Sequence, residues 1–136
     1  MSCPREPTRI LLVDDHEHVL WGLRKLIDGE WPRMTVTATA KTVSEALAAI
    51  RQRKPDMIVL GIVLGNQNSL DHLQEIRKMS GAQILILTDT RDDELHRRAV
   101  TAGARAVICK GEPADVLLRH IERANAGHET RHASPC

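Results

Sequence analysis

The hydrophobic residues of this chain fall into short runs that have the character of buried β-strands. The first run, Thr8–Val13, is almost continuously apolar and stops at two acidic residues, which indicates a strand covered on both faces, as in a parallel sheet. The second run alternates and is rich in β-branched residues, which favours a less buried strand. The predicted strands are 8–13, 35–40, 57–60, 83–87 and 106–109.

Between these runs the apolar residues recur every three or four positions, as they do on one face of a helix. The first helical segment is followed by Gly29 as a stop signal, and the second opens with Thr42 and Glu45 at the spacing of a capping box. The fourth is thinly apolar. The predicted helices cover 16–28, the segment from Thr42 to just before Pro55, a segment around Leu70 to Ile76, 93–102, and a last helix that begins at Pro113.

Five strands alternating with five helices predict a (βα)₅ protein of the α/β class. Right-handed crossovers leave chiefly a doubly wound, five-stranded parallel sheet, for which the flavodoxin-like order 2-1-3-4-5 is expected. Residues 8–127 then form one domain. Residues 1–7 are expected to be a flexible N-terminus, and 128–136 a flexible tail or the start of a linker.

Composition narrows the classes of function. The chain has 136 residues, 27% of them charged, and a net charge of +1, which is untypical of a basic nucleic-acid binder. With no Phe or Tyr, it has no aromatic platform for single-stranded nucleic acid. Its apolar runs are too short for a membrane span. Cys3, Cys109 and Cys136 provide no disulfide framework, which fits a reducing cytoplasm, and Cys109 is expected to be an inert core thiol.

Chemically useful residues follow four of the five predicted strands. Asp14 and Asp15 follow the first, Gly61 the third, Thr88 the fourth and Lys110 the fifth. Ligands of doubly wound sheets bind at this carboxyl edge. Two adjacent carboxylates suit a hard cation such as Mg²⁺, and a hydroxyl with an ammonium can hold a phosphoryl oxygen. Each of these residues, taken alone, also has an ordinary explanation. The aspartates could be a solvated acidic pair, Thr88 a helix-capping residue and Lys110 a surface lysine.

The chain resembles the receiver domain of bacterial two-component response regulators, the CheY-like family. The resemblance covers about 8–127, and its Asp-Asp-His and Ala-Gly-Ala-Arg runs are similar to the branch whose receivers precede a LuxR-type helix-turn-helix domain. Each motif is weakly specific alone and the set is highly specific. The matching segments are Ile10–His16, Lys54–Leu60, Ile84–Thr88 and Ala102–Lys110.

The resemblance implies roles for the strand-end residues. Asp14 and Asp15 would hold Mg²⁺, and the backbone carbonyl of Val63 would complete the metal site. Thr88 and Lys110 would contact the phosphoryl group. The implied partners are a sensor histidine kinase or phosphotransfer protein, and an output domain or a homodimer formed through the first and last helices.

In the family, an aspartate that ends the third strand accepts the phosphate, and here that position is Gly61. Glycine has no carboxylate to form an acyl phosphate. Asp56 begins the same strand, about five residues from the required edge, and Asp89 leaves from a different strand, so neither is expected to substitute. We therefore expect no phosphorylation in the usual way. Mg²⁺ is expected to bind weakly or not at all because one direct ligand is missing.

The missing aspartate has consequences for the rest of the pocket. Lys110, deprived of its partner, is expected to pair with Asp14 or Asp15 and so to mimic a neutralised pocket in part. The aromatic residue that such receivers usually carry three positions before the lysine is Val107 here, which we interpret as core. Output would then depend on the thinly apolar fourth helix and its adjoining loops.

Two surface features complete the list of candidates. Trp21 lies about 100° or more from the apolar stripe of the first helix, so partial exposure is expected, and it is a candidate contact for another subunit or an output domain. Packing of Trp21 over a neighbouring loop is the equal alternative. His16 and His18 diverge by about 200° on an ideal helix, so no zinc site is expected there.

Three functions remain open. The first is the receiver of a two-component transcription regulator, unable to take phosphate at Gly61 and with its DNA-binding domain absent from this chain. The second is a natural stand-alone pseudo-receiver that acts by phosphate-independent protein contact. The third, a flavodoxin-like enzyme or nucleotide binder, is disfavoured because neither G-x-G-x-x-G nor G-x-x-x-x-G-K-[ST] occurs. We therefore expect no enzymatic activity and no direct contact with nucleic acid or membrane. Whether Gly61 is natural or engineered stays open.

Overall fold

The computed structural model describes residues 7–89 and 91–133, over which strands and helices alternate. The strands are β1 (Thr8–Val13), β2 (Met34–Ala40), β3 (Met57–Gly61), β4 (Val63–Leu64), β5 (Gln67–Asn68), β6 (Gln83–Thr88) and β7 (Ala106–Cys109). The α-helices are α1 (Glu17–Asp28), α2 (Val43–Gln52), α3 (Leu73–Ser80), α4 (Asp93–Thr101) and α5 (Ala114–Ala133). A 3₁₀ helix at Ser69–His72 leads into α3.

Five of these strands form one parallel sheet in the order β2-β1-β3-β6-β7. Numbered within the sheet alone, this is the order 2-1-3-4-5, so the predicted doubly wound α/β fold is confirmed. The register pairs Val13 with Leu60 and Gly61 with Leu87. The carboxyl ends of the central strands therefore end level with one another, which is what brings their flanking residues into one pocket.

The core lies on both faces of the sheet. Successive side chains of a strand point to opposite faces, so Leu11 joins the cluster under α2, α3 and α4, whereas Ile10 and Leu12 join the cluster under α1 and α5. In β3, all five residues are buried. This double coverage explains why the central strands appear as continuous apolar runs in the sequence, whereas the edge strand β2 alternates.

The helices begin and end where local chemistry dictates. The Thr42 side chain accepts a hydrogen bond from the Glu45 backbone N–H at 3.0 Å, and the Glu45 carboxylate accepts one from the Lys41 N–H at 2.9 Å. The predicted cap of α2 is therefore formed. Gly81 closes α3 with a positive φ of 66°, where a side chain would be strained.

Two segments differ from the sequence-based expectation. The stretch 65–68, expected to be a loop, includes β5, which pairs antiparallel with β4 around a turn at Gly65. The last helix continues to Ala133, beyond the expected boundary at 127. The residues after 127 lack an apolar stripe but include good helix formers and no proline before Pro135, so the backbone can continue. Expectations for residues 1–6 and 134–136 lie outside the described residues.

No helix in the described part of the chain combines the length and the hydrophobicity that crossing a bilayer requires.

Candidate functional site

The carboxyl edge of the sheet brings an acid, a glycine, a hydroxyl residue and an amine together. Asp14 follows β1, Gly61 ends β3, Thr88 ends β6 and Lys110 follows β7. The Lys110 Nζ lies 2.9 Å from the Asp14 Oδ2, and the Lys110 backbone N–H donates to the Thr88 carbonyl at 2.7 Å. A Cβ built on Gly61 would lie 3.1 Å from that same oxygen of Asp14. Asp14, Gly61 and Lys110 therefore lie together, and the backbone of Thr88 is bonded to that of Lys110.

Asp14 is the buried anion of this pocket, with only 3% of its side chain exposed. Its Oδ1 accepts a hydrogen bond from the backbone N–H of His16 at 2.9 Å and lies 3.0 Å from the Nδ1 of the same residue. Its Oδ2 faces the Lys110 ammonium. A buried carboxylate needs such a counter-charge, because burial removes the water that would otherwise solvate it.

Asp15 is less buried and is held from a different direction. Its Oδ2 accepts a hydrogen bond from the Gly65 N–H at 2.9 Å, and its Oδ1 lies 3.1 Å from the His16 Nδ1. The Gly65 donor lies in the turn of the β4–β5 hairpin, which begins at Val63. The hairpin therefore contacts one side of the acidic pair through Gly65. Val63 is the first residue of the same hairpin.

Gly61 carries no side chain. The nearest described group to a Cβ built at this position is the Asp14 carboxylate. The two alternative carboxylates lie elsewhere. Asp56 accepts a hydrogen bond from the Arg9 backbone N–H at 2.9 Å near the opposite end of β3, and Asp89 is exposed. No described side chain therefore places a second carboxylate beside Gly61 in the manner of the expected acceptor.

Ser69 is a site residue that sequence reasoning missed. It is fully buried, and its hydroxyl donates a 2.6 Å hydrogen bond to the Gly61 carbonyl. Its backbone N–H donates to the Ile62 carbonyl at 2.7 Å. Ser69 thus fixes the peptide that follows Gly61. A serine in a polar turn segment gives no sequence signal for this role, because the contact spans eight residues.

The acidic pair can hold a divalent cation. One ligand atom from each of Asp14, Asp15 and His16 lies within 4.8 Å of the other two. The Asp14 Oδ2 and the Asp15 Oδ1 are buried without a hydrogen bond, since their charged neighbours Lys110 and His16 lack hydrogen-bond geometry to them. Such hard oxygen donors fit Mg²⁺. The ammonium of Lys110 competes for the same charge.

The prediction that the rings of His16 and His18 diverge was wrong. Their centroids lie 5.9 Å apart in an edge-to-face arrangement. His16 precedes α1 with an extended backbone, at φ −101° and ψ 113°, so the rotation of an ideal helix does not apply to it. The possible three-ligand group among the described residues includes His16 and not His18.

Val107 and Cys109 of β7 were both expected to lie in the core, and the structure supports this for one of them. Val107 packs against the core cluster under α4, which agrees with its interpretation as core. Cys109 is only partly buried, so the expectation of a core thiol was wrong. The reason is that β7 is an edge strand, and Cys109 lines the groove between α1 and α5. Cys3 and Cys136 lie outside the described residues.

An exposed ion pair at the start of α1 lies close to the acidic pair in sequence. The Lys41 Nζ lies 2.6 Å from the Glu17 Oε1 and links α1 to the segment between β2 and α2. This hydrogen bond, with the attraction of the ammonium, holds the pKa of Glu17 below its ordinary value of 4.5. On another surface, hydrogen bonding to Glu30 and the charge of Glu122 raise the pKa of Arg33.

Trp21 lies outside the core, as its position on the helix predicts. Its side chain is 64% exposed, and the Lys25 Nζ lies 4.6 Å from the ring centroid. A groove of about 590 Å³ runs between α1 and the start of α5, and its lining includes Leu23 and Leu117. Gly22, in the middle of α1, borders this groove. A Cβ added at Gly22 would meet nothing within 4 Å, so the groove is open at this point.

Comparison with known proteins gives one consistent result. The family model for the response regulator receiver domain matches residues 10–122. The DNA-binding transcriptional activator DevR/DosR of Mycobacterium tuberculosis is 32% identical over 120 residues, which are 88% of this chain and 55% of the relative. The nitrate/nitrite response regulator NarL of Escherichia coli K12 is 28% identical over 90% of this chain and 57% of its own length. The chain thus spans about half the length of these relatives.

Solved structures agree in fold. A LuxR-family two-component response regulator from Aurantimonas sp. SI85-9A1 superposes with a TM-score of 0.82 at 33% identity, covering 90% of this chain and 87% of that one. A CheY-like receiver domain protein from Methanospirillum hungatei JF-1 gives a TM-score of 0.84 at 25% identity, with 93% and 99% covered. With the sheet order, the clustered strand ends and the family match over 10–122, the chain belongs to the response regulator receiver domain family.

Proposed function

We propose that this chain is the receiver of a two-component transcription regulator that takes no phosphate and whose pocket is neutralised by its own lysine. The observation that carries the proposal is the 2.9 Å contact between the Lys110 ammonium and the buried Asp14 carboxylate, beside a Gly61 without a side chain. Under this proposal, Gly61 stands where the family has its acceptor aspartate, and Lys110 neutralises Asp14 beside it.

The chemistry of phosphoryl transfer explains why Gly61 is decisive. A carboxylate oxygen must attack the phosphorus as the bond from phosphorus to the donor's leaving group breaks. Gly61 has no such oxygen, and Asp14 is buried and already engaged with Lys110 and His16. Thr88 and Lys110 would contact phosphoryl oxygens in a competent pocket. Here they have no acyl phosphate to bind.

Mg²⁺ would be held by Asp14 and Asp15, with the backbone carbonyl of Val63 completing the site. When bound, the ion supplies positive charge to the acidic pair and to any phosphoryl oxygen. We propose that it binds weakly or not at all. The pocket has lost one of three carboxylates, and Lys110 already places a positive charge 2.9 Å from Asp14.

The partners follow from the family and the surface. We propose a sensor histidine kinase or phosphotransfer protein as the kind of protein that docks on this domain. An output domain, or a second copy through α1 and α5, would receive the signal, with Trp21 as a contact. The relative DevR/DosR is named as a DNA-binding transcriptional activator. We further propose that the domain works in the cytoplasm, has no enzymatic turnover of its own, and relies on an output domain for DNA contact.

A natural stand-alone pseudo-receiver is the second candidate. It is favoured by the same Lys110–Asp14 pair, because a pocket neutralised without phosphate can hold one conformation permanently. The complete reading frame separates the two candidates. A helix-turn-helix segment beyond this domain is expected for the transcription regulator and not for the pseudo-receiver.

The test compares this chain with Gly61→Asp and Gly61→Asn after incubation with acetyl phosphate or phosphoramidate and Mg²⁺. The asparagine variant matches the aspartate in size but has no nucleophilic carboxylate. We expect intact-mass spectrometry to detect a phosphoryl adduct on Gly61→Asp alone. Equal labelling of the unaltered chain and Gly61→Asp would mean that another residue accepts phosphate, and the proposal would fail.

A Mg²⁺ titration followed by tryptophan fluorescence or NMR tests the metal part of the proposal. Gly61→Asp restores a third carboxylate, so its affinity is expected to exceed that of the unaltered chain by about tenfold or more. Gly61→Asn is expected to stay near the unaltered chain. Micromolar affinity of the unaltered chain would contradict the proposed weak site.

A further inference from the structure

We infer that the chain has a binding site for a divalent transition-metal ion in which a histidine nitrogen joins the two aspartates. The His16 site, as we name it, consists of the Asp14 Oδ1, the Asp15 Oδ1 and the His16 Nδ1. It shares the aspartates with the Mg²⁺ site that the family resemblance implies, but that site uses no histidine. The inference therefore goes beyond the proposed function, and it does not depend on whether Gly61 prevents phosphorylation.

The donor atoms have the spacing of ligands around one ion. The His16 Nδ1 lies 3.0 Å from the Asp14 Oδ1 and 3.1 Å from the Asp15 Oδ1. Two donors that each bind a transition metal at about 2.1 Å, and at a right angle, lie about 3.0 Å apart. The observed spacing therefore suits a single ion bound to the nitrogen and to one oxygen of each carboxylate.

The His16 site is on a different oxygen of Asp14 from the one that faces Lys110. The Asp14 Oδ2 lies 2.9 Å from the Lys110 Nζ, and a Cβ built on Gly61 would lie 3.1 Å from the same oxygen. The Oδ1 is the oxygen that faces the His16 ring. An ion bound to the Oδ1 therefore need not displace the Lys110 ammonium.

Backbone groups orient both carboxylates, so their positions do not depend on the His16 ring. The Asp14 Oδ1 accepts a hydrogen bond from the His16 backbone N–H at 2.9 Å, and the Asp15 Oδ2 accepts one from the Gly65 N–H at 2.9 Å. Hydrogen bonds of this kind hold metal ligands in place in metalloproteins. Ligands that are already oriented lose little conformational freedom when an ion binds.

Both aspartates have an oxygen whose need for a partner is unmet. The side chain of Asp14 is only 3% exposed, and its Oδ2 is buried without a hydrogen bond, as is the Asp15 Oδ1. A buried carboxylate oxygen without a partner costs free energy. Lys110 supplies charge to Asp14, whereas the Asp15 Oδ1 has only His16 near it. Two carboxylates beside one ammonium leave a negative charge that attracts a dication.

The nitrogen donor decides which class of metal the His16 site favours. Imidazole is a good ligand for later transition metals, whereas Mg²⁺ prefers oxygen donors and keeps several waters. The His16 side chain is 52% exposed, so an ion can reach it from solvent. The exposed ring can also carry its proton on Nε2, which leaves Nδ1 free to bind the ion.

A Co²⁺ titration of the unaltered chain, His16→Asn and His18→Asn tests the site. Paramagnetic Co²⁺ alters NMR signals of nearby amides, so signals from 14–18 and Gly65 distinguish this site from others. The asparagine amide at position 16 can still donate to the carboxylates but supplies no imidazole nitrogen. His18 is the matched control, because it is exposed and its ring centroid lies 5.9 Å from that of His16, outside the three-residue group.

We expect Co²⁺ affinity to fall by about tenfold or more in His16→Asn and by less than about twofold in His18→Asn. Mg²⁺ affinity is expected to change by less than about twofold in either variant, because Mg²⁺ makes little use of imidazole. Asparagine is favourable at the N-cap position that His16 occupies, so the fold is expected to persist in His16→Asn. Circular dichroism checks this.

A second measurement needs no substitution. Adding Zn²⁺ to the unaltered chain is expected to shift the His16 Nδ1 signal in ¹⁵N NMR and to leave the His18 ring signals nearly unchanged. The inference is overturned if the two histidine variants lose Co²⁺ affinity equally, if the unaltered chain binds Co²⁺ no more tightly than Mg²⁺, or if Zn²⁺ does not shift the His16 Nδ1. Phosphoryl labelling of the unaltered chain would refute the proposed function and leave these outcomes as they are.

Discussion

Lys110 contacts a buried carboxylate beside position 61, where the chain has a glycine. Its ammonium lies against Asp14, whose side chain is 3% exposed, while Lys110 itself is 22% exposed. An ammonium so placed stabilises the buried carboxylate without any ion from solution. Under the proposed function, Gly61 prevents acceptance of phosphate and Lys110 supplies the positive charge beside Asp14.

Lys110→Met tests this charge exchange through stability. Removing the ammonium leaves Asp14 buried and uncompensated, which is expected to lower the free energy of unfolding by about 2–4 kcal/mol. Millimolar Mg²⁺ is expected to restore part of that loss, because an ion that binds only the folded state stabilises it. Urea denaturation with and without Mg²⁺ measures both effects. Lys54→Met is the control, since Lys54 is exposed and lies outside the pocket; equal losses in the two variants would refute the exchange.

Glu17, the first residue of α1, provides a pH-dependent prediction. Because Lys41 lowers the pKa of Glu17 in the folded state, Lys41→Met is expected to raise that pKa toward 4.5. The stabilisation from this pair is present above the unfolded pKa and is lost as the pH falls through the lower folded pKa. Carboxyl NMR titration measures the shift. Lys54→Met should leave the Glu17 titration unaltered, and an unchanged titration in Lys41→Met would contradict the prediction.

Individual site residues were predictable from sequence to an uneven degree. Asp14, Thr88 and Lys110 could be placed together because each ends or follows a buried run, and parallel strands share an edge. Ser69 could not be found, because its hydrogen bond to Gly61 depends on how a short turn folds back. The ring of His16 was misplaced because helical geometry was applied to a residue that caps the helix.

At the scale of elements, the amount of buried apolar surface separates α4 from the other helices. Ala99 is the single residue that α4 buries fully, whereas α1 buries Leu20 and Ile27. Leu95 and Ala102 pack against the core only in part. An element held by so little apolar contact opens locally at low cost in free energy. The thin apolar stripe that the sequence predicts on α4 is therefore confirmed, whereas a mobile α4, as opposed to a plain surface helix, stays a prediction.

Hydrogen exchange tests that property of α4. Amides in the last turn of α4, at 98–101, are expected to exchange at least about tenfold faster than those in the last turn of α1, at 25–28. Both sets lie in hydrogen-bonded turns, so the comparison isolates tertiary packing. Equal protection of the two turns, measured by NMR under native conditions, would show that α4 is as firmly held as α1 and that its thin stripe does not make it mobile.

The accuracy of the element predictions follows from length and repetition. The strands of the sheet and the five helices repeat an apolar pattern often enough to be recognised, and β7 was placed at its observed bounds. The β4–β5 hairpin has two residues per strand, too few for any period to show. The end of α5 was missed because the helix continues after its apolar stripe has ended.

On the scale of the whole molecule, the features lie on separate surfaces of one sheet. Asp14, Gly61 and Lys110 lie together at the carboxyl edge, α3 and α4 lie on one side, and Trp21 with the open groove lies on the α1–α5 side. The two side surfaces belong to opposite faces of the sheet, since α1 and α5 cover one cluster and α3 and α4 the other. The described part of the chain therefore presents separate surfaces on the two faces of its sheet.

Association through α1 and α5 is the last prediction, and it uses the two tryptophans as a matched pair. Trp21 and Trp31 are 64% and 63% exposed, but only Trp21 lies within α1. If Trp21 packs against a second copy, its loss removes a central aromatic contact worth about 2 kcal/mol or more. Sedimentation velocity is expected to show self-association weakened at least about tenfold in Trp21→Ala and nearly unchanged in Trp31→Ala.

Acetyl phosphate with Mg²⁺ should leave the unaltered chain's association constant unchanged, because Gly61 provides no acceptor. Equal behaviour of both variants, or a response to the phosphodonor, would place the contact elsewhere or restore a phosphate-dependent switch.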